Sequence, residues 1–438
     1  MTKSKPTFWT VFFLFFYIYE FNFEVFSLPT FITSRRVVVV LLAVILVIRS
    51  VIKNGRISIV SFNNECGNIC KNQLTLQIVL FVYSVLLTIA IGSGDGEKIT
   101  ADIIKYICFS VVPICLFYAY FNNLQQMMGT LVVVTFIQTI IIIICLLSPT
   151  FANSLDNTFA SGETLEYISS HRSMYAGGLA CITAPGAFKY SLGIIACVYY
   201  ILEQKRNIYF IPFSIFSVVI VMIARTGLIV AALGLFIVLL ESIQEKKSAD
   251  FLKRGASIIV ILCVCVAIFY IFDFNVFFMT RLKRLILLFE KGAKEEFFDY
   301  YFYGEDIGNK YVKINGETFF GIGVTSGVAG NGVEVNVDGG FLRLLAALGV
   351  PMCIVFYLTF FSFIFKMHRK VTTKGLKYTM LFFVMVLLAA EFKEYTIYSQ
   401  YMPCVLFTCY ALSYKKRRKC EGKAFFRIKN LYNELKES

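Results

Sequence analysis

Charge and histidine are what this chain has least of. Only 16% of its 438 residues are charged and two are histidine, whereas 58% are hydrophobic, 46 of them Phe. Ordinary soluble domains carry roughly 25% charged residues, and the mean hydropathy here is +0.72, so a soluble enzyme is excluded and a polytopic membrane protein is expected. At ~20 residues per span, about twelve helices fit the length, which leaves no room for a separate soluble catalytic domain. The first apolar run, Thr7 to about Ser27, has no Ala-x-Ala cleavage site and is too long for the core of a cleaved signal, so it reads as a signal anchor. No internal repeat is evident, which argues against a secondary transporter. Of the 13 cysteines, none falls between Phe274 and Gly340. Cys66 and Cys70 form a lone CxxxC without a second pair or a histidine nearby, and therefore read as structural and not as metal ligands.

What is present is a succession of apolar runs at about 7–27, 33–52, 73–92, 102–121, 127–148, 180–202, 207–224, 225–240, 255–273, 340–365, 377–393 and 398–414. The expected fold is all-α: one transmembrane domain over 1–414 and a basic tail over 415–438. The net charge of +14 needs no nucleic acid to explain it, because many Lys and Arg stand in short connections between runs. The densest cluster, Lys415 to Lys419, follows the last run and is expected to stay cytoplasmic. Counting back places Lys366, Arg369, Lys370 and Lys374, then Lys246 and Lys253, then Lys205 and Arg206, then Lys53, Arg56 and Lys71 on that same side. Both termini come out cytoplasmic, and the two long polar connections, about 149–179 and 274–339, come out external. Arg35 and Arg36, at the outer end of the second run, go against this bias.

The candidate chemistry lies in those external connections and at their edges. In the first, turn formers dominate the opening half, and further on His171 is directly followed by Arg172; the pair is either an exposed polar couple or a titratable imidazole beside a guanidinium suited to phosphate. Residues 207–240 are too few for two full spans, so Ala224-Arg225-Thr226-Gly227 is expected to be a very tight turn with Arg225 close to hydrocarbon. Arg225 either snorkels to lipid headgroups or holds a ligand phosphate. In the second connection, Phe278, Leu282, Leu285 and Phe289 recur at helical spacing with Arg281, Lys283 and Arg284 on other faces, the pattern of an interfacial helix. Residues 297–306 alternate aromatics with carboxylates, including Glu305 and Asp306, and suit either an interfacial belt or sugar stacking. The glycine-rich stretch Gly321 to Gly340 allows close backbone approach or an anion nest. Asp338 is placed either to cap the following helix or to act as a base. Arg343, in the first turns of an apolar span, should face a polar cavity.

The motifs His171-Arg-Ser-x-Tyr-x-Gly, Ala224-Arg-Thr-Gly-Leu-Ile-Val and a long external loop closing on Gly321-Ile-Gly, Asp338-Gly-Gly and Ala347-Leu-Gly-Val resemble the bacterial O-antigen and capsule repeat-unit polymerases, the Wzy family. The resemblance implies an inner-membrane glycosyltransferase that works on the periplasmic side without metal, cofactor or nucleotide sugar. It implies undecaprenyl diphosphate-linked oligosaccharides as substrates, and a flippase and a chain-length regulator as partners. Arg172, Arg225 and Arg343 would bind the diphosphate, with Arg281 and Arg284 in reserve. Asp338 or His171 would serve as base, ahead of Glu290, Glu305 and Asp306. The related O-antigen ligases carry a histidine in the large external loop; here that loop has none, since the other histidine is His368. A lipid-linked oligosaccharide flippase is the alternative from a different class.

Overall fold

The structure, a computed structural model, describes residues 5–21, 32–54, 65–92, 94–159, 183–224, 226–244, 319–335, 339–399 and 401–415. Helices account for most of them: α1 Phe8–Ile18, α2 Ser34–Asn54, α3 Glu65–Ile91, α4 Ile99–Tyr120, α5 Leu124–Leu147, α6 Pro149–Phe159, α7 Thr183–Leu202, α8 Phe210–Ile223, α9 Thr226–Gln244, α10 Gly340–Lys370, α11 Lys374–Lys393 and α12, residues 401–415. Seven of these segments are long and apolar enough to cross a membrane. Their outer faces display Ile78, Val82 and Leu86 on α3, Phe136 and Ile140 on α5, and Ile354, Val355 and Leu358 on α10. Side chains of this kind are exposed on helices only when lipid is the solvent, and the chain is a membrane protein. The run at 255–273 and the interfacial helix expected over 276–289 lie outside the described residues.

α7 stands at the centre, almost wholly buried, and packs on α5, α8, α9 and α11. At Gly193 a side chain would collide with Thr135 at 2.4 Å, so the glycine is what lets α5 and α7 come this close. The tight turn between α8 and α9 is formed as the length argument requires: Ala224 is extended and its carbonyl accepts from Gly227 N–H at 2.9 Å, while Gly227 lies against the Ile220 carbonyl. Three expectations are corrected. The first apolar run becomes a helix of only 11 residues, α1, which ends before Tyr19. The start of the first external connection is not a string of turns but α6, with Pro149 at its first position and Ser148 Oγ accepting from Phe151 N–H at 3.3 Å. Within its described residues the glycine-rich stretch is not a nest: it forms a β-hairpin.

That hairpin pairs β2 Val324–Val328 with β3 Glu334–Val335, and β2 also pairs antiparallel with β1 Glu97–Lys98, in the connection between α3 and α4. Glycines on both sides make the contact possible. A Cβ on Gly94 would sit 2.2 Å from the Val328 carbonyl oxygen, and one on Gly330 would meet the Gly92 backbone at 2.7 Å. Ile322, Val324, Ala329 and Val335 close a small core with Ala346 on α10.

α10 is interrupted at Gly349, whose φ of 73° is left-handed, two residues before Pro351. The break orphans two carbonyls, because Pro351 has no N–H and the Val350 N–H is turned away. Residues 319–323 repair it: Ile322 N–H donates to Ala346 O at 2.9 Å, Gly323 N–H to Ala347 O at 3.0 Å, and Val350 N–H to Phe319 O at 2.9 Å. Tyr83 Oη from α3 satisfies Phe320 O, and Ile99 N–H satisfies Gly323 O at 3.1 Å. Arg343 therefore sits not on an unbroken span but on the short helical piece ahead of this break.

Contacts between connections sort into two ends of the bundle. At a lysine-rich end, Lys370 pairs with Glu65 at 3.2 Å, Lys205 with Glu241, and Lys415 Nζ donates to the carbonyls of Tyr118 and Phe121 at 3.0 Å. There, too, Glu203 accepts from Leu376 N–H at 3.1 Å. The other end holds the hairpin, the start of α10 and the turn at 394–399.

Gly349 meets both a conformational and a steric limit, since a Cβ would lie 2.2 Å from the Phe320 carbonyl carbon. Gly92 has φ of 89° but open space around its Cβ direction. Gly349→Ala should therefore lower the thermal midpoint in detergent clearly more than Gly92→Ala, which carries only the backbone strain of about 1–3 kcal/mol. Equal shifts would contradict the tight seating of residues 319–323 on α10.

Candidate functional site

Of the residues singled out in the sequence, the structure describes Arg343. Asp338, His171, Arg172, Arg225, Arg281 and Arg284 lie outside the described residues, as do Glu290, Glu305 and Asp306. The N-cap of α10 is Gly339, with no side-chain cap, so the capping position falls one residue after Asp338. Ala224 and Thr226 bracket Arg225 in the turn described above.

Arg343 belongs to the hairpin end. Its guanidinium lies 6.0 Å from the ring centroid of Tyr395 in the turn after α11. Behind that ring is a buried carboxylate, Glu391, near the end of α11. Glu391 Oε1 accepts from Tyr357 Oη at 2.9 Å, and Oε2 accepts from the N–H groups of Thr396 at 3.0 Å and Ile397 at 2.7 Å. The carboxylate lies directly under the first turn of α10, where a Cβ on Gly340 would be 2.5 Å from Oε1. A helix N-terminus favours a negative charge there, and three hydrogen bonds offset the cost of burying it. Tyr395 stacks on Tyr398 at 5.3 Å, and Tyr398 Oη donates to Gln77 Oε1 at 3.1 Å. Tyr395 Oη is buried with no partner among the described residues. Burial pushes this hydroxyl well above the ordinary tyrosine range, and the charges of Asp102 and Glu391 act in the same direction, so it remains a proton donor. Asp102, at the start of α4, takes a hydrogen bond from Thr325 Oγ1 of the hairpin at 3.2 Å and pairs with Lys105 at 3.3 Å. The hairpin is thus fastened to the same polar group.

A second cluster lies at the end of α1. α1, at 1.5 Å per residue, is about 16 Å long and starts near the lysine-rich end, where Lys5 O accepts from Gln126. Its far end meets the start of α2, where Ser34 N–H donates to Phe21 O at 3.0 Å. There Arg35, 4% exposed, pairs with Glu20 at 2.8 Å and donates through Nε to Tyr17 O at 3.0 Å. The guanidinium also lies 5.6 Å from the Tyr17 ring and 5.8 Å from the Tyr401 ring. Thr33 Oγ1 donates to the other oxygen of Glu20 at 2.5 Å. Arg36 and Lys189 also act electrostatically on Glu20, so three cations bear on one carboxylate. The segment 395–401 links the clusters, with Tyr395 and Tyr398 on the Glu391 side and Tyr401 on the Arg35 side.

These contacts account for the arginines that went against the charge bias: Arg35 is an internal ion-pair partner. The signal was present in the sequence, since Glu20 and Arg35 are opposite charges in successive apolar runs, where each needs the other. Glu391, a carboxylate at the end of an apolar run, could have been found by the same rule. Thr325 and Asp102 could not, because only the hairpin brings them together.

Comparison with models of known protein families, with curated proteins and with solved structures gives no match.

Arg35→Ala removes the ion-pair partner of the half-buried Glu20 carboxylate and should lower the thermal midpoint of the purified protein. The combination Arg35→Met with Glu20→Gln removes both charges and should recover most of that loss in the thermal midpoint of the purified protein. A double variant as unstable as the single one would contradict the ion pair.

Proposed function

We propose that this chain is a polysaccharide polymerase of the bacterial inner membrane, moving a growing glycan from undecaprenyl diphosphate to a lipid-linked oligosaccharide repeat unit. The observation that carries the reading is the gathering, at and below one end of an apolar bundle, of arginine and carboxylate side chains that hydrocarbon excludes unless they have work or partners. The order of motifs that resembles the Wzy polymerases supports it further.

On this reading the hairpin end is periplasmic, twelve spans include one over 255–273, and both termini are cytoplasmic. The contacts at the lysine-rich end support that alternation, because Lys370 with Glu65, Lys205 with Glu241 and Glu203 with Leu376 each join connections expected on one side. In the reaction, the acceptor hydroxyl forms a bond to the anomeric carbon of the donor while the bond from that carbon to the diphosphate oxygen breaks. Undecaprenyl diphosphate leaves, and the hydroxyl proton passes to a base. Arginines can hold and neutralise the leaving diphosphate bidentately. Arg172, Arg225 and Arg343 are proposed for this role, with Arg281 and Arg284 behind them. Asp338 or His171 is proposed as base, and Glu391 joins them as a buried carboxylate at the same end. A flippase and a chain-length regulator are proposed partners.

The test is elongation by the purified protein supplied with fluorescent lipid-linked repeat units. The reading expects longer lipid-linked glycans together with free undecaprenyl diphosphate. Arg225→Ala and Arg343→Ala should each lower the rate at least tenfold at unchanged protein level, and Arg225→Lys should rescue poorly because the planar fork is lost. Leaflet exchange without new glycosidic bonds would replace this reading by a flippase.

A further inference from the structure

The lysine-rich end holds a cluster that the sequence pattern does not reveal. Cys66 and Cys70 are one turn apart on α3 and share a face of it. Cys115, 45 residues further on, comes to them from α4, and the three Sγ atoms all lie within 4.8 Å of one another. Cys70 and Cys115 are 3.1 Å apart. The absence of a third ligand, which argued against a metal in the sequence, therefore does not hold in the fold.

The placement of Cys115 is set by a defect in α4. Residues Ile107–Val111 form a π-turn just before Pro113. Pro113 cannot donate to the carbonyl four residues back, and Phe109 O is taken instead by Tyr17 Oη at 2.6 Å. The wider turn changes which face of the following segment meets α3, and Cys115 arrives opposite Cys70. π-Turns of this kind are frequent at functional sites.

We propose that Cys66, Cys70 and Cys115 form a three-thiolate site for a thiophilic d10 cation, Zn(II) or Cu(I), which ties α3 to α4. Metal–sulfur bonds of ~2.3 Å place ligand sulfurs about 4 Å apart, within the span of this cluster, and thiolates are the ligands that select these ions. Binding forms three metal–sulfur bonds and releases three thiol protons to solvent. The site is anionic when filled with either ion, and Lys415 is near enough to act on Cys66. Its ammonium, fixed by the carbonyls of Tyr118 and Phe121, offsets one unit of that negative charge. Cys66 and Cys70 are buried while Cys115 is partly exposed, so entry is from the Cys115 side. A disulfide between Cys70 and Cys115 would leave Cys66 without a role, whereas a metal uses all three. The proposal stands independently of the glycan chemistry at the other end.

The test uses the full-length protein in detergent, stripped with chelator and then loaded with Zn(II), or with Cu(I) under reducing conditions, followed by desalting and elemental analysis. About one equivalent of one of these ions per chain is expected, falling at least tenfold in Cys115→Ser and unchanged in Cys353→Ser, whose cysteine is buried elsewhere on α10. Should Cys115→Ser fail to fold, thiol mapping of the unaltered chain decides: the bound ion should protect Cys66, Cys70 and Cys115 from alkylation at least tenfold, and chelator should reverse that protection. Alkylation of all three at the same rate with and without metal would overturn the proposal, as would a Cys70–Cys115 disulfide in the isolated protein or full metal retention by Cys115→Ser.

Discussion

The interruption of α10 at Gly349 to Pro351 is the constraint on which the hairpin end of this protein rests. Within a bilayer no water is at hand for an orphaned carbonyl, and each one left unsatisfied costs several kcal/mol. Ala346 O and Ala347 O lose their helical donors at the break, so some other backbone has to supply them. Residues 319–323 do so, and their own remaining groups are met by Tyr83 and Ile99. A chain locked at that place by five hydrogen bonds leads directly into the hairpin. Its register against β1 then puts Thr325 on Asp102. The broken helix, the hairpin and the first turn of α4 are one mutually dependent unit.

Charge follows the same economy of position. Glu391 is held under the first turn of α10 by Tyr357 and two backbone N–H groups, and Arg35 is held by Glu20 and Tyr17 O. Neither group is solvated by bulk water, so each has a fixed orientation and little freedom to reorganise. Preorganised charge in a low-dielectric setting is what transfer to or from a diphosphate requires. Tyr395 and Tyr398 lie on the Glu391 side and Tyr401 on the Arg35 side, so three tyrosines stand between the two clusters.

The fold was legible where it depends on hydropathy and little else. Apolar runs of ~20 residues mark helices because the bilayer permits no other single-chain solution, and the α8–α9 turn follows from length alone. Legibility failed where distant segments pair. Nothing in Gly92-Ser-Gly-Asp-Gly96 announces a partner 230 residues away, yet its glycines match those at 327 and 330. The early end of α1 was hidden for a related reason: apolar composition continues past Ile18, but the Glu20 and Arg35 pair fixes where the chain turns. Arg343 was legible as a cation needing a polar neighbour. Its neighbour Tyr395, and the nearby Glu391, were not, because a single carboxylate at the end of an apolar run barely changes the run's hydropathy. Cys115 was unreadable for want of the π-turn that aims it.

On the proposed function, Arg172, Arg225 and Arg343 hold a lipid diphosphate. Native mass spectrometry of the purified protein with undecaprenyl diphosphate and with undecaprenol measures this directly. One diphosphate lipid retained per chain, undecaprenol lost, and retention reduced at least tenfold by Arg225→Ala or Arg343→Ala is the expected result. Equal retention of the two lipids, or retention of the diphosphate unaffected by both substitutions, would contradict it.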